Sequence, residues 1–346
     1  MSTENTSAKI SAYLEASAAL RPAMAAMQLF GLLQGAQQSG LLALLRTPAL
    51  TAELAAATGI AEERVIDICR ALDAHAVVIQ TEGRYHLADP WRCLTAPDAP
   101  QALEDQLAFS FTQMKILANA ATGDEDYWTL PPADRLAIAK GSPLNPASPQ
   151  APAIIEMWFR TLLPELHSCC SAGGRYLYLG CGASGTLLSY LQAYPKLTAV
   201  GVELAGELLA VARQRALDLG VSDRVCFHEG DARDYHAPAQ FDVVDWSQTY
   251  FPTASRADAL SVAFQSLKPG GLFTTVLHRQ ESETASDNLH TDEGRAVSLT
   301  LIEMNRLGFP AVNTATILQE ISAAGFIEMK LVATAMHRRL LARRPA

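Results

Sequence analysis

The stretch YLYLGCGASG, residues 176–185, ends an apolar run in Gly180, Gly182 and Gly185. Glycines at these intervals let backbone pass close to a ligand and let the next helix pack tightly on the preceding strand. Glu203 closes the next apolar run, LTAVGVEL, where a carboxylate can accept hydrogen bonds from ribose hydroxyls. Asp231 stands in EGDARD after a third run, placed to receive an adenine amino group. FDVVDWS, 241–247, carries Asp242 at its start and Asp245, Trp246 and Ser247 at its exit; LKPGG, 267–271, reads as a turn before a fifth run. The set predicts a site for an adenosine-bearing cofactor. The glycine spacing alone fits a nicotinamide dinucleotide and S-adenosylmethionine equally.

The elements that must hold these residues alternate. Strands are expected at 175–180, 197–204, 224–230, 241–247 and 270–278, with a late one at 327–334. Helices are expected at 186–194, 208–219, 256–267 and 314–326. Alternation of this kind argues for a parallel sheet covered by helices on both faces. Ligands then bind beyond the carboxyl ends of the strands, at the topological switch.

Upstream, residues 10–46 are rich in Ala, Leu, Met and Gln and are interrupted by Pro22 and by glycine turns. They read as two or three helices with more apolar surface than a small domain hides, which points to a subunit interface. Residues 51–89 read as helix, glycine cap at Gly59, second helix, then a hairpin turning at Glu82-Gly83, a winged helix. Its second helix carries Glu62, Glu63, Asp67 and Asp73 against Arg64 and Arg70. That charge opposes phosphate contact, so a dimerising role is expected rather than nucleic-acid binding. Residues 97–150 begin as a helix and turn proline-rich, a linker; 151–169 is an amphipathic helix leading into the second domain. The expected division is thus 1–96, 97–150 and 151–346.

With 346 residues, 49% of them hydrophobic, the chain has core material for two domains. A net charge of -9 disfavours nucleic acid and acidic membranes as partners. The six cysteines form no C-x-x-C pair, so no zinc site or disulfide framework is expected, and a reducing cytoplasm is. No basic, apolar leader and no uninterrupted apolar run of about 18 residues is seen, so no membrane span is expected.

In this order the motifs resemble class I S-adenosylmethionine-dependent methyltransferases. With the winged helix in front, the chain is similar, from about residue 20 to 335, to the dimeric small-molecule O-methyltransferases of plant phenolic and bacterial natural-product pathways. The resemblance implies a Rossmann-like α/β methyltransferase domain behind an all-helical, winged-helix dimerisation domain. It implies Gly180, Cys181, Gly182 and Gly185 along the methionine side of S-adenosylmethionine, Glu203 with Leu204 at the ribose, and Asp231 with Ala232 at the adenine. Asp245, Trp246 and Ser247 would lie near the sulfonium. An aromatic face there suits a cation.

The chain departs from that family at its chemistry. The family's catalytic histidine follows the fourth strand; here the stretch SQTYFP puts Thr249 or Tyr250 in its place. The supporting carboxylate after the fifth strand is replaced by Leu277 or His278, and a later glutamate falls near Ala311. Tyr250 and His278 are therefore the candidate catalytic residues. Trp158, Phe251, Met304 and Phe309 are candidates for an apolar lining that takes a flat aromatic or heteroaromatic acceptor. An electron-rich carbon or an amine attacks a sulfonium methyl without first losing a proton, whereas a phenol needs a base. The missing histidine tilts the expectation toward carbon or nitrogen methylation, with phenol O-methylation and a non-catalytic metabolite-binding regulator as the alternatives. An NAD-dependent oxidoreductase lacks a hydride-transfer pair in this sequence.

Overall fold

The computed structural model describes residues 3–123, 126–141, 144–277, 290–310, 312–333 and 338–346. They divide into two compact units, 1–107 and 108–346.

The first unit opens with α1 (Thr3–Gln38), which runs through Pro22 as one helix. Two or three helices were expected here. Pro22 removes one backbone donor, at a cost of about 3 kcal/mol, but the Ala, Leu, Met and Gln on both sides are strong helix formers and carry the chain through. The helix gives way at Gly40, whose φ of +75° starts the short α2 (Leu41–Leu44). Next come α3 (Thr51–Thr58), α4 (Glu62–Ala74), and the hairpin β1 (Val78–Thr81) and β2 (Arg84–Leu87). Glu53 accepts the Leu50 N–H at the start of α3, and Gly59, at φ +73°, ends that helix. Glu82 and Gly83 both take positive φ, the geometry a two-residue hairpin demands. Leu54, Val65, Cys69, Leu72, Val78 and Leu87 meet in the core of this unit, with α5 (Asp89–Leu94) following. The helix α6 (Leu103–Ala118) spans the division between the units.

The second unit adds α7 (Pro132–Gly141), α8 (Ala151–Leu162) and α9 (Pro164–Ser171) ahead of the sheet. Then β3 (Arg175–Leu179), α10 (Gly185–Ala193), β4 (Thr198–Glu203), α11 (Gly206–Asp218), β5 (Val225–Glu229), β6 (Phe241–Trp246), α12 (Thr253–Ser266) and β7 (Leu267–Leu277) follow. The chain closes with α13 (Asp292–Arg306), α14 (Thr314–Ala323), β8 (Ile327–Ala333) and β9 (Arg338–Arg343). These strands, β3 to β9, form one seven-stranded sheet in the order β5-β4-β3-β6-β7-β9-β8, separate from the β1-β2 hairpin. All pairs are parallel except those of β9, which runs antiparallel to both β7 and β8. LKPGG lies inside β7 rather than before it, because the Gly270 N–H and the Gly271 carbonyl both pair with Arg344.

Alternation sorts the sheet residues. Tyr176, Val243, Leu272 and Leu341 pack against α8, α9 and α10. Leu177, Leu179, Val244, Trp246 and Phe273 pack against α12 and α14. A Leu or Phe so buried contributes about 1.5–3 kcal/mol. From β3 the chain builds outward through β4 and β5, then returns to build through β6 and β7. The carboxyl ends of β3 and β6 therefore flank the switch point, where a crevice opens.

Candidate active site

Leu179 ends β3 and the chain turns at Gly180, at φ +74°. A Cβ at Gly180 would lie 2.8 Å from the Phe251 ring and 3.3 Å from Ser247, so the turn needs glycine on two grounds. The Gly180 and Cys181 N–H groups donate to the Val202 carbonyl, tying the loop to β4. Gly182, at φ +53°, donates to Glu203 Oε2 at 2.8 Å, and Gly185 begins α10.

Glu203 also accepts from the N–H groups of Leu204 and Ala205 on Oε1, at 2.9 and 3.0 Å. Burial pushes its carboxyl above the usual carboxylate range, against the pull of these donors. A carboxylate offers about four lone-pair sites, so about one is left for a ribose hydroxyl, on Oε2. Asp231 is held by Arg233 through both carboxylate oxygens, at 2.7–3.0 Å, which keeps its carboxyl below the usual range.

These residues line a cavity of about 390 Å³. Gly180, Cys181, Gly182, Gly185, Glu203, Leu204, Asp231, Ala232, Asp245, Trp246, Ser247, Trp158, Tyr250 and Phe251 all border it. Tyr127, Trp128, Ile138 and Ala139 close another side. Arg135 of α7 fixes that side: it reaches Glu207 on α11 at 2.6 Å and the carbonyls of Trp128 and Leu130.

Several expected residues sit differently. The Cys181 thiol packs on Gly201, Leu209 and Ala212 behind the loop, and burial pushes it far up, so the residue offers the ligand backbone alone. Trp246 is fully buried on the α12 side, under the Arg256 guanidinium and against Phe251 and Phe273. Strand alternation turns its indole away from the place assigned to the sulfonium. Asp245 points to the opposite face and is 1% exposed, in a buried ion pair with Arg339 of β9 at 2.9 Å. Met304 and Phe309 do not border the cavity; they join Ile116, Tyr127 and Leu307 in the layer behind its wall. His278 and Ala311 lie outside the described residues, so the position of the second candidate catalytic residue is not part of this geometry.

Tyr250 borders the cavity with its ring edge-on to Phe309 at 5.5 Å. Burial, reinforced by the charge of Glu303, pushes its phenol up to about 12. Thr249, the other residue in the histidine's place, is buried and accepts from Gln248 Nε2 at 3.1 Å. Gln248 is itself gripped by Arg256, which donates to its carbonyl at 2.7 Å and pairs with Glu320 of α14. Arg256 and Arg339 were both missed in the sequence. They lie in a helix and in the last strand of the chain, neither of which carries a motif, and only the fold brings them to the crevice.

The site fits S-adenosylmethionine: a glycine cradle, a half-buried carboxylate at the end of the second parallel strand and an acid beyond the third line one cavity. Residues 177–271 match a family model described as a methyltransferase domain. A stretch of 67 residues is 37% identical to methyltransferase ungE' of Aspergillus campestris, covering 19% of this chain and 20% of that one. The chain spans between 20% and 52% of the length of the curated relatives it matches. Over nearly its whole length it superposes on an O-methyltransferase family protein from Burkholderia thailandensis, with TM-score 0.73, 17% identity and coverage of 95% and 98% of the two chains. Human N-acetylserotonin methyltransferase, solved with its S-adenosylmethionine, gives TM-score 0.71 at 16% identity, covering 96% and 98%. Residues 177–271 thus match a methyltransferase domain, and the chain shares the fold of class I S-adenosylmethionine-dependent methyltransferases.

Proposed function

We propose that the protein methylates a small aromatic or heteroaromatic metabolite of natural-product type, on carbon or nitrogen in preference to a phenolic oxygen. The observation that carries this is the wall after β6. Thr249 is buried and hydrogen-bonded, and the Tyr250 phenol is pushed up to about 12, so neither takes a proton from a phenol near neutral pH. S-Adenosylmethionine supplies an activated methyl group. The protein's part is to hold donor and acceptor in line, which alone can lower a barrier by as much as about 7–11 kcal/mol. Gly180, Gly182 and Glu203 hold the cofactor; Trp158, Phe251, Tyr127 and Trp128 present flat faces to the acceptor and exclude water.

The test is a product spectrum. Purified protein, S-adenosylmethionine and a panel of indoles, aryl amines and phenols are incubated, and methylated products are located by mass spectrometry and NMR. Carbon- or nitrogen-methyl products are expected. A methyl ether formed from a plain phenol, at a rate unaffected by Tyr250→Phe or His278→Ala, would overturn the preference.

The division of labour we infer assigns residues 1–96 to dimerisation, 97–150 to a helical linker and 151–346 to chemistry. On α1, Ile10, Tyr13, Leu14, Leu20, Met24 and Met27 are exposed at intervals of three, four and seven, one stripe on one helix. By length and composition, Ser7–Gln38 could also cross a membrane, since its most apolar stretch reaches a mean hydropathy of 1.2 and is almost wholly exposed. Arg21 in the middle of that stretch favours a second copy in the cytoplasm as the partner. Light scattering should give a dimer mass without detergent; a monomer, or a protein that floats with vesicles, would count against it.

A further inference from the structure

The cavity is bordered by a buried polar group in which Asp245, assigned by resemblance to the sulfonium end, meets Arg339, a residue that no cofactor motif includes. Arg339 comes from β9, where it pairs with Val276, and folds back over the sheet. One of its nitrogens, Nη1, donates to Asp245 Oδ2 at 2.9 Å and to Thr274 Oγ1 at 3.2 Å. The other, Nη2, donates to the Tyr190 hydroxyl at 3.0 Å. The Tyr176 hydroxyl donates to the same Asp245 Oδ2 at 2.9 Å. Asp245 Oδ1 is buried and has no hydrogen-bond partner among the described residues, although Asp245 borders the cavity. An ionised oxygen left without a donor in so dry a place costs several kcal/mol. Such a deficit marks a place where a ligand donor belongs.

The surroundings say which donor. Tyr178 is the register partner of Asp245 on β3 and also borders the cavity. Burial, with the charge of Asp245, keeps its phenol protonated. Tyr190 and Phe159 border the cavity too, their rings 4.9 Å apart. A carboxylate oxygen among aromatic rings suits a cationic amine or an N–H group. An anion is disfavoured, because both Arg339 nitrogens that face the group are already engaged.

We propose that Asp245 Oδ1, positioned by Arg339 and flanked by Tyr178, Tyr190 and Phe159, is a subsite for a ligand ammonium or N–H donor. The proposal rests on the methyltransferase reading. Two molecules could bring that donor: the amino-acid tail of the cofactor, or the acceptor. Calorimetry separates them. S-Adenosylhomocysteine and methylthioadenosine share the adenosyl thioether, and only the first has the tail. Both are titrated into the wild type, the charge-neutral pair Asp245→Asn/Arg339→Gln, and Tyr178→Phe. Benzylamine and benzyl alcohol are then titrated into each protein saturated with S-adenosylhomocysteine.

If the tail occupies the subsite, the double variant weakens S-adenosylhomocysteine about ten- to hundred-fold and leaves methylthioadenosine unchanged. If the acceptor does, both nucleosides are unchanged, and benzylamine but not benzyl alcohol loses its binding. Tyr178→Phe, which keeps both charges, should give a smaller loss of the same pattern, about two- to ten-fold, and serves alone if the double variant melts below the assay temperature. Equal loss of both nucleosides, or no amine-selective change in any titration, overturns the subsite and leaves a structural ion pair. A wild type that binds neither nucleoside would instead refute the methyltransferase reading.

Discussion

At the Glu203 end of the cavity, backbone does most of the holding: Gly182, Leu204 and Ala205 give their N–H groups to one carboxylate, and the loop is tied to the Val202 carbonyl. At the Asp245 end, side chains do it: Arg339, Tyr176, Thr274 and Tyr190 converge from two strands besides β9 and from α10. A backbone-built end needs particular residue types at close spacing, because glycine best tolerates the positive φ at positions 180 and 182. A side-chain-built end needs only that distant segments meet. The first arrangement suits a part of the ligand that never changes. The second can be rebuilt by single substitutions, which suits a part that sets specificity.

The sharpest way to break the backbone-built end is at Gly180. Any side chain there takes on both a φ of +74° and a Cβ 2.8 Å from the Phe251 ring. Gly180→Val should abolish S-adenosylhomocysteine binding in calorimetry. Gly182→Val is the gentler partner: its Cβ would meet only the Ala139 methyl, at 3.6 Å, so its penalty comes from φ +53° and from crowding the ligand. Equal loss in the two variants would mean that backbone strain alone decides, and that the Phe251 contact is immaterial.

The side-chain-built end should break through stability. Arg339→Ala leaves Asp245 charged, buried and without its counter-ion, which typically costs about 3–5 kcal/mol. Urea unfolding should show the midpoint falling accordingly, and Asp245→Asn/Arg339→Gln should recover much of it. An unfolding free energy for Arg339→Ala within about 1 kcal/mol of wild type, on the order of an ordinary exposed pair, would contradict the burial argument.

This contrast also explains what could be read from the sequence. Gly180, Gly182, Glu203 and Asp231 were legible because their spacing follows from strand and turn geometry, and the strands that carry them alternate with helices. The hairpin at Glu82-Gly83 was legible for the same local reason. Arg339 was not, because its role depends on β9 inserting antiparallel beside β7, a pairing that no local pattern announces. The helix α13 was missed because it lies off the main core: its Met304 joins a small satellite cluster with Tyr127 and Tyr250. The single helix through Pro22 was missed because a local breaker was weighed above summed propensity. For Trp246 the motif gives the position in the strand but not the face: that depends on register, and a shift of one residue reverses it.

A smaller effect is expected at Glu203. Glu203→Gln keeps size and one acceptor but loses charge, so cofactor affinity should fall by about 1.5–3 kcal/mol. The direction with pH follows from burial. The folded carboxyl lies above its unfolded value, so the folded state binds a proton that the unfolded state releases. In that window stability falls as pH rises, and the contribution is largest in favour of folding on the acid side. Cofactor affinity runs the other way, since protonation removes the charged acceptor. Titrations from neutral pH into the acid range should show wild-type affinity dropping and Glu203→Gln staying flat; parallel curves would remove Glu203 from the ribose.

The smallest effect is expected at Tyr250, and it bears most directly on the chemistry. With its phenol pushed up to about 12, Tyr250 stays protonated across the range in which the enzyme can be assayed. It can donate a hydrogen bond to the acceptor and present a ring edge to Phe309, but it has no charge to take a proton with. Tyr250→Phe keeps the ring and its contacts and removes one neutral hydrogen bond, worth about 0.5–1.5 kcal/mol. Turnover should therefore fall only a few-fold, with KM carrying part of the change, and the kcat profile between pH 6 and 9 should keep its shape. A fall of about 10²–10⁴-fold in kcat, with loss of an inflection in that profile, is the signature of a general base. That result would return Tyr250 to the role the histidine plays in related enzymes and reopen phenol oxygen as the acceptor.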